Sequence, residues 1–149
     1  MISIEDIKKL REETGASPVK IKKALEQSLE NIEKAKELLK SWGAAKASEK
    51  GERETNNGVI DFYVHPNAKS GVLLDIRCET DFVAKNPDFK HLAHEICLQI
   101  AALKAEDVPA LLAQPWVKDE SKTIRNLVED AVAKIGENIE VKQFTRYEI

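Results

Sequence analysis

The sequence predicts an α+β protein, in which a small module of three helices precedes a three-stranded antiparallel sheet with helices packed on one face. Apolar residues recur at helical spacing as far as Gly43, and from Asn57 onward the period changes to two. The charge changes as well, because residues 1–53 have a small excess of basic side chains and residues 54–149 an excess of acidic ones. We therefore predict a helical module at 1–43, a linker at 44–55 and a core at 56–149.

Each helix of the module has its own start signal. Ser3, Ser17 and Asn31 are residues that favour a helix N-terminus. Pro18 follows Ser17 at the first helical position, where proline is preferred. Gly43 is expected to end the third helix. Helices this short are unstable alone, so their apolar sides must pack together.

The core begins with a predicted β-hairpin. Its apolar face is formed by Ile60, Phe62, Val64, Val72, Leu74, Ile76 and Cys78. Asn86 and Pro87 then start a helix, and a later helix ends at Gly136. An extended segment from Ile139 completes the sheet as a third antiparallel strand, whereas the secondary structure of residues 105–114 is ambiguous.

Composition and motifs narrow the possible functions. With 42% hydrophobic and 33% charged residues the chain is typical of a globular protein, and no apolar run approaches a membrane span. The net charge of -3 gives no general attraction to nucleic acid. The start MISIEDIKKL differs from a signal or transit peptide, so we expect a cytoplasmic protein. The sequence lacks phosphate-binding loops and common catalytic motifs, so we expect no nucleotide binding by the chain itself, no cofactor and no enzymatic activity.

One cluster, formed by His91, His94 and Cys97, has the residue types of a metal or nucleophile site. Along a helix, however, His91 and Cys97 diverge by about 120°. We therefore expect a packed thiol and two solvated imidazoles rather than a metal site or a thiol hydrolase. Cys78 is likewise expected to be packed.

The connection from the second strand to the first core helix, residues 79–86, has two interpretations. In the first, Thr80 or Asp81 caps a helical turn and Phe82 packs beneath it. In the second, Phe82 is an exposed aromatic wedge beside the carboxylate of Asp81, as in an interface hot spot. The pattern of residues by itself favours the first interpretation.

Four segments, taken together, resemble one family. They are LREETGASPVKIKKALEQ, GVIDFYVHPNAKSGVLLDIRCE, TDFVAKN at 80–86 and KIGENIEVKQFTRYEI. In this order they resemble translation elongation factor Ts, the guanine-nucleotide exchange factors for elongation factor Tu. The resemblance implies that the helical module is ubiquitin-associated-like, and that the TDFV corner enters the GTPase domain and disturbs Mg²⁺ and phosphate binding. The implied GTPase contacts are Thr80, Asp81, Phe82 and Val83 at the corner and Arg11, Pro18 and Val19 in the module.

The sequence also departs from that family. Ser17, Pro18 and Val19 stand where many members have methionines, and Lys142 and Gln143 stand where paired arginines are common. Residues 105–116 leave no room for a second core or a coiled coil, so the chain resembles a short, single-core form. An alternative function is an adaptor whose helical module binds a ubiquitin-like or peptide ligand.

Short members of the resembled family pair their cores through the sheet, which implies a homodimer here. The uncovered face of the sheet is expected to carry Val59, Tyr63, Leu73 and Phe144. Exposed patches that contain aromatic residues usually mark contacts, although long lysine and arginine side chains could also shield such a face.

Overall fold

The computed structural model describes residues 1–149, except for the side chains of residues 46–50. The module consists of α1 (Ile4–Thr14), α2 (Pro18–Gln27) and α3 (Ile32–Lys50). The side chains of Ser3, Ser17 and Asn31 each accept a hydrogen bond from a backbone N–H in the first turn of their helix, as the sequence predicts. The helices pack around their own buried cluster, formed by Leu10, Ile21, Ala24, Leu25, Ala35 and Leu39.

Helix α3 extends beyond its predicted end. The predicted stop at Gly43 is wrong, because α3 continues to Lys50. Gly43 lies where the helix approaches the core, and a Cβ atom at this position would lie 3.3 Å from the Cβ atom of Ala133. The glycine therefore permits close packing instead of ending the helix. The predicted linker at 44–55 includes residues 46–50, whose side chains are not among those described. The domain boundaries remain a prediction.

The core elements are β1 (Asn57–Val64), β2 (Ser70–Cys78), α4 (Asp81–Ala84), α5 (Pro87–Ala102), α6 (Val108–Ala113), β3 (Pro115–Trp116), β4 (Asp119–Thr123), α7 (Ile124–Ile135) and β5 (Ile139–Glu148). Strands β1, β2 and β5 form the predicted three-stranded antiparallel sheet, with β2 in the centre. Helix α5 begins after Asn86, and α7 ends at Gly136 in the left-handed conformation. These findings confirm the α+β fold class.

Two features of the core were not foreseen. The ambiguous segment 105–114 contains α6, which is capped by Asp107. It is followed by a small separate hairpin of β3 and β4. Among the helices described, none has the length and apolar character that a bilayer span requires.

The strand register reverses the predicted faces of β1. Val59, Asp61 and Tyr63 pair with Ile76, Leu74 and Val72 and share the helix-covered face with them. The prediction that Val59 and Tyr63 lie on the open face is therefore wrong. The residues that instead lie exposed on the open face are Ile60, Phe62 and Val64. A shift of one residue in register is enough to exchange all side chains between the two faces.

Strand β5 shows the same kind of difference. Phe144 pairs with Leu74 and packs against the core, so its predicted position on the open face is also wrong. The register of β2 and β5 shifts between Asp75 and Ile76, and such a bulge changes which side chains share a face. Leu73 lies on the open face as predicted and is 54% exposed.

Candidate functional site: an exposed aromatic corner

The TDFV segment forms a tight corner between β2 and α5. Thr80 caps the single turn of α4, and its Oγ1 atom accepts a hydrogen bond of 3.3 Å from the N–H of Val83. Val83 and Ala84 are buried against the core. The turn is thus attached to the body of the protein from below by apolar contacts and at its start by a cap.

Phe82 projects from this corner into solvent. Its side chain is 82% exposed, which excludes the interpretation in which it packs beneath the turn. Beside it, Asp81 forms an exposed ion pair of 2.8 Å with Lys85, and this pair raises the pKa of the Lys85 ammonium group. Exposed pairs add little stability. The corner therefore presents an apolar ring next to a carboxylate on a supported turn.

Glu137, in the loop between α7 and β5, holds the corner from the other side. Its Oε1 atom accepts hydrogen bonds from the N–H groups of Glu79 and Thr80, at 3.1 and 3.0 Å. Its Oε2 atom accepts a hydrogen bond of 2.8 Å from the Thr80 hydroxyl. Glu137 is not among the site residues that the sequence predicts. The only signal for it was its place in the closing segment KIGENIEV.

A second set of contacts joins this loop to the chain that leaves the module. The N–H of Asn138 donates to the Glu79 carboxylate at 2.7 Å, and Arg53 lies 3.6 Å from the same oxygen. The side-chain amide of Asn138 donates to the carbonyl oxygen of Arg53 at 2.7 Å. The base of the corner therefore contacts both the loop before β5 and the segment that follows α3.

The predicted contact residues of the module belong to α1 and to the start of α2. Val19 is 79% exposed at the start of α2. Arg11 and Pro18 line a cavity of about 900 Å³ between the module and the core, which Lys122 and Lys134 also line. The structure thus brings Arg11 and Pro18 to one cavity, whereas residues 80–83 lie on a separate connection of the core.

In the cluster of His91, His94 and Cys97, both histidines are exposed and the cysteine is buried. Burial raises the pKa of the Cys97 thiol to about 12, so it remains protonated and is a poor nucleophile. Cys78 is also buried and donates a hydrogen bond to the carbonyl oxygen of Thr80 at 3.2 Å. In the part of the chain that the structure describes, no group of histidine, cysteine and acidic residues is arranged to hold a metal ion.

The open face of the sheet carries a contiguous set of apolar side chains. They belong to Ile60, Phe62, Val64, Leu73 and Tyr147, each more than half exposed. Asp75 and Arg77 lie on the same face and form a salt bridge of 2.6 Å. The hydrogen bond from Arg77 is the main cause that lowers the pKa of Asp75, so the acid stays charged beside its partner.

A family model described as Elongation factor TS matches residues 79–149. The match begins at the base of the corner and includes Phe82 and Glu137.

Curated relatives match almost the whole chain. The elongation factor Ts of Thermotoga neapolitana is 40% identical over 191 aligned residues, which cover 99% of this chain and 97% of the relative. The elongation factor Ts of Methylacidiphilum infernorum is 39% identical, and the alignment covers 99% of this chain and 95% of the relative. That of Rubrobacter xylanophilus is 37% identical, and the alignment covers 98% of this chain and 98% of the relative. Because the alignments are longer than the 149 residues of this chain, each relative has residues without a counterpart here. Identity of this extent from the first helix to the last strand, together with the match that begins at the corner, shows that the chain belongs to the elongation factor Ts family.

Proposed function

We propose that this protein promotes the release of GDP from elongation factor Tu by inserting Phe82 into the GTPase domain. Membership of the elongation factor Ts family supports the role in translation elongation. The observation that carries the finer proposal is the 82% exposure of Phe82 on a turn whose neighbours, Val83 and Ala84, are buried. Aromatic side chains on rigid supports are the usual anchors of protein interfaces.

In this proposal Phe82, with Asp81 beside it, enters between helices of the GTPase and disturbs the elements that hold Mg²⁺ and the phosphates. The metal neutralises phosphate charge, so a displaced metal weakens the binding of the whole nucleotide. The four-residue helix α4 is short, and Thr80 and Val83 hold it in place. The ring can therefore meet the partner with little loss of conformational freedom.

The energetics require more than one anchor. Nanomolar binding of a nucleotide corresponds to a binding free energy of about 12 kcal/mol. By thermodynamic reciprocity, an exchange factor that weakens nucleotide binding by some factor must bind the empty GTPase more tightly than the nucleotide-bound GTPase by the same factor. Such binding needs an interface of roughly 1,600 Å² or more. We assign the second contact to Arg11, Pro18 and Val19, because Arg11 and Val19 are exposed and Arg11 and Pro18 line the same cavity.

We also propose that two copies pair through the open face of the sheet. The apolar side chains of that face have no cover in one chain, and apolar surface of this kind normally marks a contact. Asp75 and Arg77 already pair with each other on this face, so neither brings an unpaired charge to the contact. In a symmetric dimer the same patch of both copies would form the contact.

The exchange proposal is tested by following the release of fluorescent GDP from elongation factor Tu. Phe82→Ala should reduce the stimulation of release strongly, and Phe82→Leu should retain part of it because it keeps an apolar side chain. Since the ring is exposed, Phe82→Ala should change the free energy of unfolding by less than about 0.5 kcal/mol, whereas truncating a buried ring costs about 3–5 kcal/mol.

A matched control is Leu103→Ala, which truncates an exposed apolar side chain at the far end of α5. This variant should release GDP at the wild-type rate. A folded Phe82→Ala protein with unchanged exchange would contradict the proposal.

A further inference from the structure

Glu137 makes an unusual set of contacts for a partly exposed loop residue. Both of its carboxylate oxygens are used, and all three donors belong to the two residues at the base of the corner, Glu79 and Thr80. These donors lie 57 and 58 residues away along the chain. Hydrogen bonds to a charged acceptor are stronger than neutral ones, so this single side chain provides a substantial constraint on the corner.

The Thr80 hydroxyl transmits this constraint to the turn that carries Phe82. A hydroxyl has one proton to donate, and here it is directed to Glu137 Oε2. A lone pair is then left to accept the N–H of Val83, which caps α4. A helix of four residues cannot hold its own conformation, so the direction of Phe82 depends on this cap together with the buried contacts of Val83 and Ala84.

The carboxylate is not needed to join β5 to β2. The two strands already pair from Cys78 opposite Ile139 to Ser70 opposite Glu148. The N–H of Asn138 also donates to the Glu79 side chain, without help from Glu137. Loss of the Glu137 carboxylate should therefore leave the sheet intact and release mainly the corner.

We infer that Glu137 is a positioning residue that sets the direction in which Phe82 is presented to the GTPase. This inference rests on the proposed exchange function. Glu137 itself need not touch the partner, because it acts through Thr80 and the cap of α4.

The first test compares Glu137→Ala and Glu137→Gln in GDP release at increasing concentrations of the protein. Removal of the carboxylate should lower the maximal release rate about tenfold or more, with a smaller change in the half-saturating concentration, because the other contact surfaces remain. Glutamine can still accept the two N–H bonds but not the hydroxyl proton at its amide nitrogen, so its rate should be intermediate. The Val83 amide should also exchange its hydrogen faster in both variants.

The control is Glu140→Ala, which removes a nearby exposed carboxylate that accepts one hydrogen bond from Thr55. It should release GDP at the wild-type rate. Thermal unfolding of each variant separates a local effect from a loss of the fold, and Glu137→Gln keeps the test valid if the alanine variant is unstable.

The decisive measurement is a double-mutant cycle with Phe82→Ala. If Glu137 acts through Phe82, its removal should have no further effect on release once the ring is absent. Additive losses, or a wild-type rate in folded Glu137→Ala, would overturn the positioning role while leaving the function of Phe82 intact. An unchanged rate in Phe82→Ala would instead overturn the proposed exchange mechanism itself.

Discussion

Two glycines of the β1–β2 hairpin have very different surroundings. Gly58 pairs with Arg77 and has a φ of 156°, and a Cβ atom there would collide with the carbonyl oxygen of Ile76 and lie 2.8 Å from the Arg77 Cα atom. Gly71, at the other end of the hairpin, has only ordinary contacts of 3.7 Å around the same position. The backbone of β2 thus approaches β1 so closely at Gly58 that no side chain fits.

Gly58→Ala should therefore lower the free energy of unfolding by about 1–3 kcal/mol, because the two strands must move apart. Gly71→Ala serves as the matched control and should change it by less than about 0.5 kcal/mol. Urea unfolding of the two variants measures both values. Equal stability of the two variants would show that β1 can shift without cost.

Among the elements, the small β3–β4 hairpin depends on one buried side chain of α5. Gln99 is fully buried, and its amide group donates to the Gln114 side chain at 3.1 Å and to the Pro115 carbonyl oxygen at 3.0 Å. Its carbonyl oxygen accepts the N–H of Val117 at 3.0 Å. A buried amide that satisfies one backbone group of β3 and one of the turn after it fixes this part of the hairpin to the helix.

Gln99→Ala leaves these groups without partners and should cost about 1–3 kcal/mol of stability. Amide hydrogen exchange at Val117 should become faster than in the wild type. His94→Ala, on the exposed side of the same helix, is the control and should change neither quantity. Unchanged protection at Val117 would mean that the hairpin is held by other contacts.

For the molecule as a whole, the proposed pairing through the open face of the sheet can be tested directly. At micromolar concentration, light scattering should give a mass of about twice 16.7 kDa. Leu73→Asp and Phe62→Asp each place a charge in the apolar patch and should give monomers. Val117→Asp alters an exposed apolar residue outside this face and should leave the dimer unchanged. A wild-type monomer at this concentration would exclude pairing through the sheet.

The relation between module and core also belongs to this scale. Close packing of α3 on α7 at Gly43 and Ala133 holds the module against the core. The effect of partner binding to the module can thus reach the core, which carries Phe82. This arrangement is consistent with one GTPase being bound by both parts of the chain.

Features that depend on neighbouring residues followed from the sequence alone. The caps at Ser3, Ser17 and Asn31, the start of α5 after Asn86 and the end of α7 at Gly136 were all predicted. These signals are short-range, because a cap or a left-handed glycine satisfies backbone groups within one turn. The three strands were predicted for a similar reason, since their period of two is a local property.

The family resemblance, rather than periodicity, identified Phe82 as a candidate functional residue. The residue pattern favoured the packed position, which is wrong, because the side chain is exposed. Its position depends on whether apolar neighbours, here Val83 and Ala84, occupy the space beneath the turn, and this depends on packing from other elements.

Tertiary structure alone determined the faces of β1 and β5, the role of Gly43 and the contacts of Glu137. The faces depend on register, and one residue of shift or one bulge reverses them without any change in local hydrophobicity. Glycine is common at the end of a helix, but Gly43 lies within α3 at a close contact with Ala133, which is distant in sequence. Glu137 contacts Thr80 across 57 residues, and such a pairing is formed only when the sheet brings the two loops together. Local periodicity contains no information about these contacts between distant residues, because the contacts arise from the packing of separate elements.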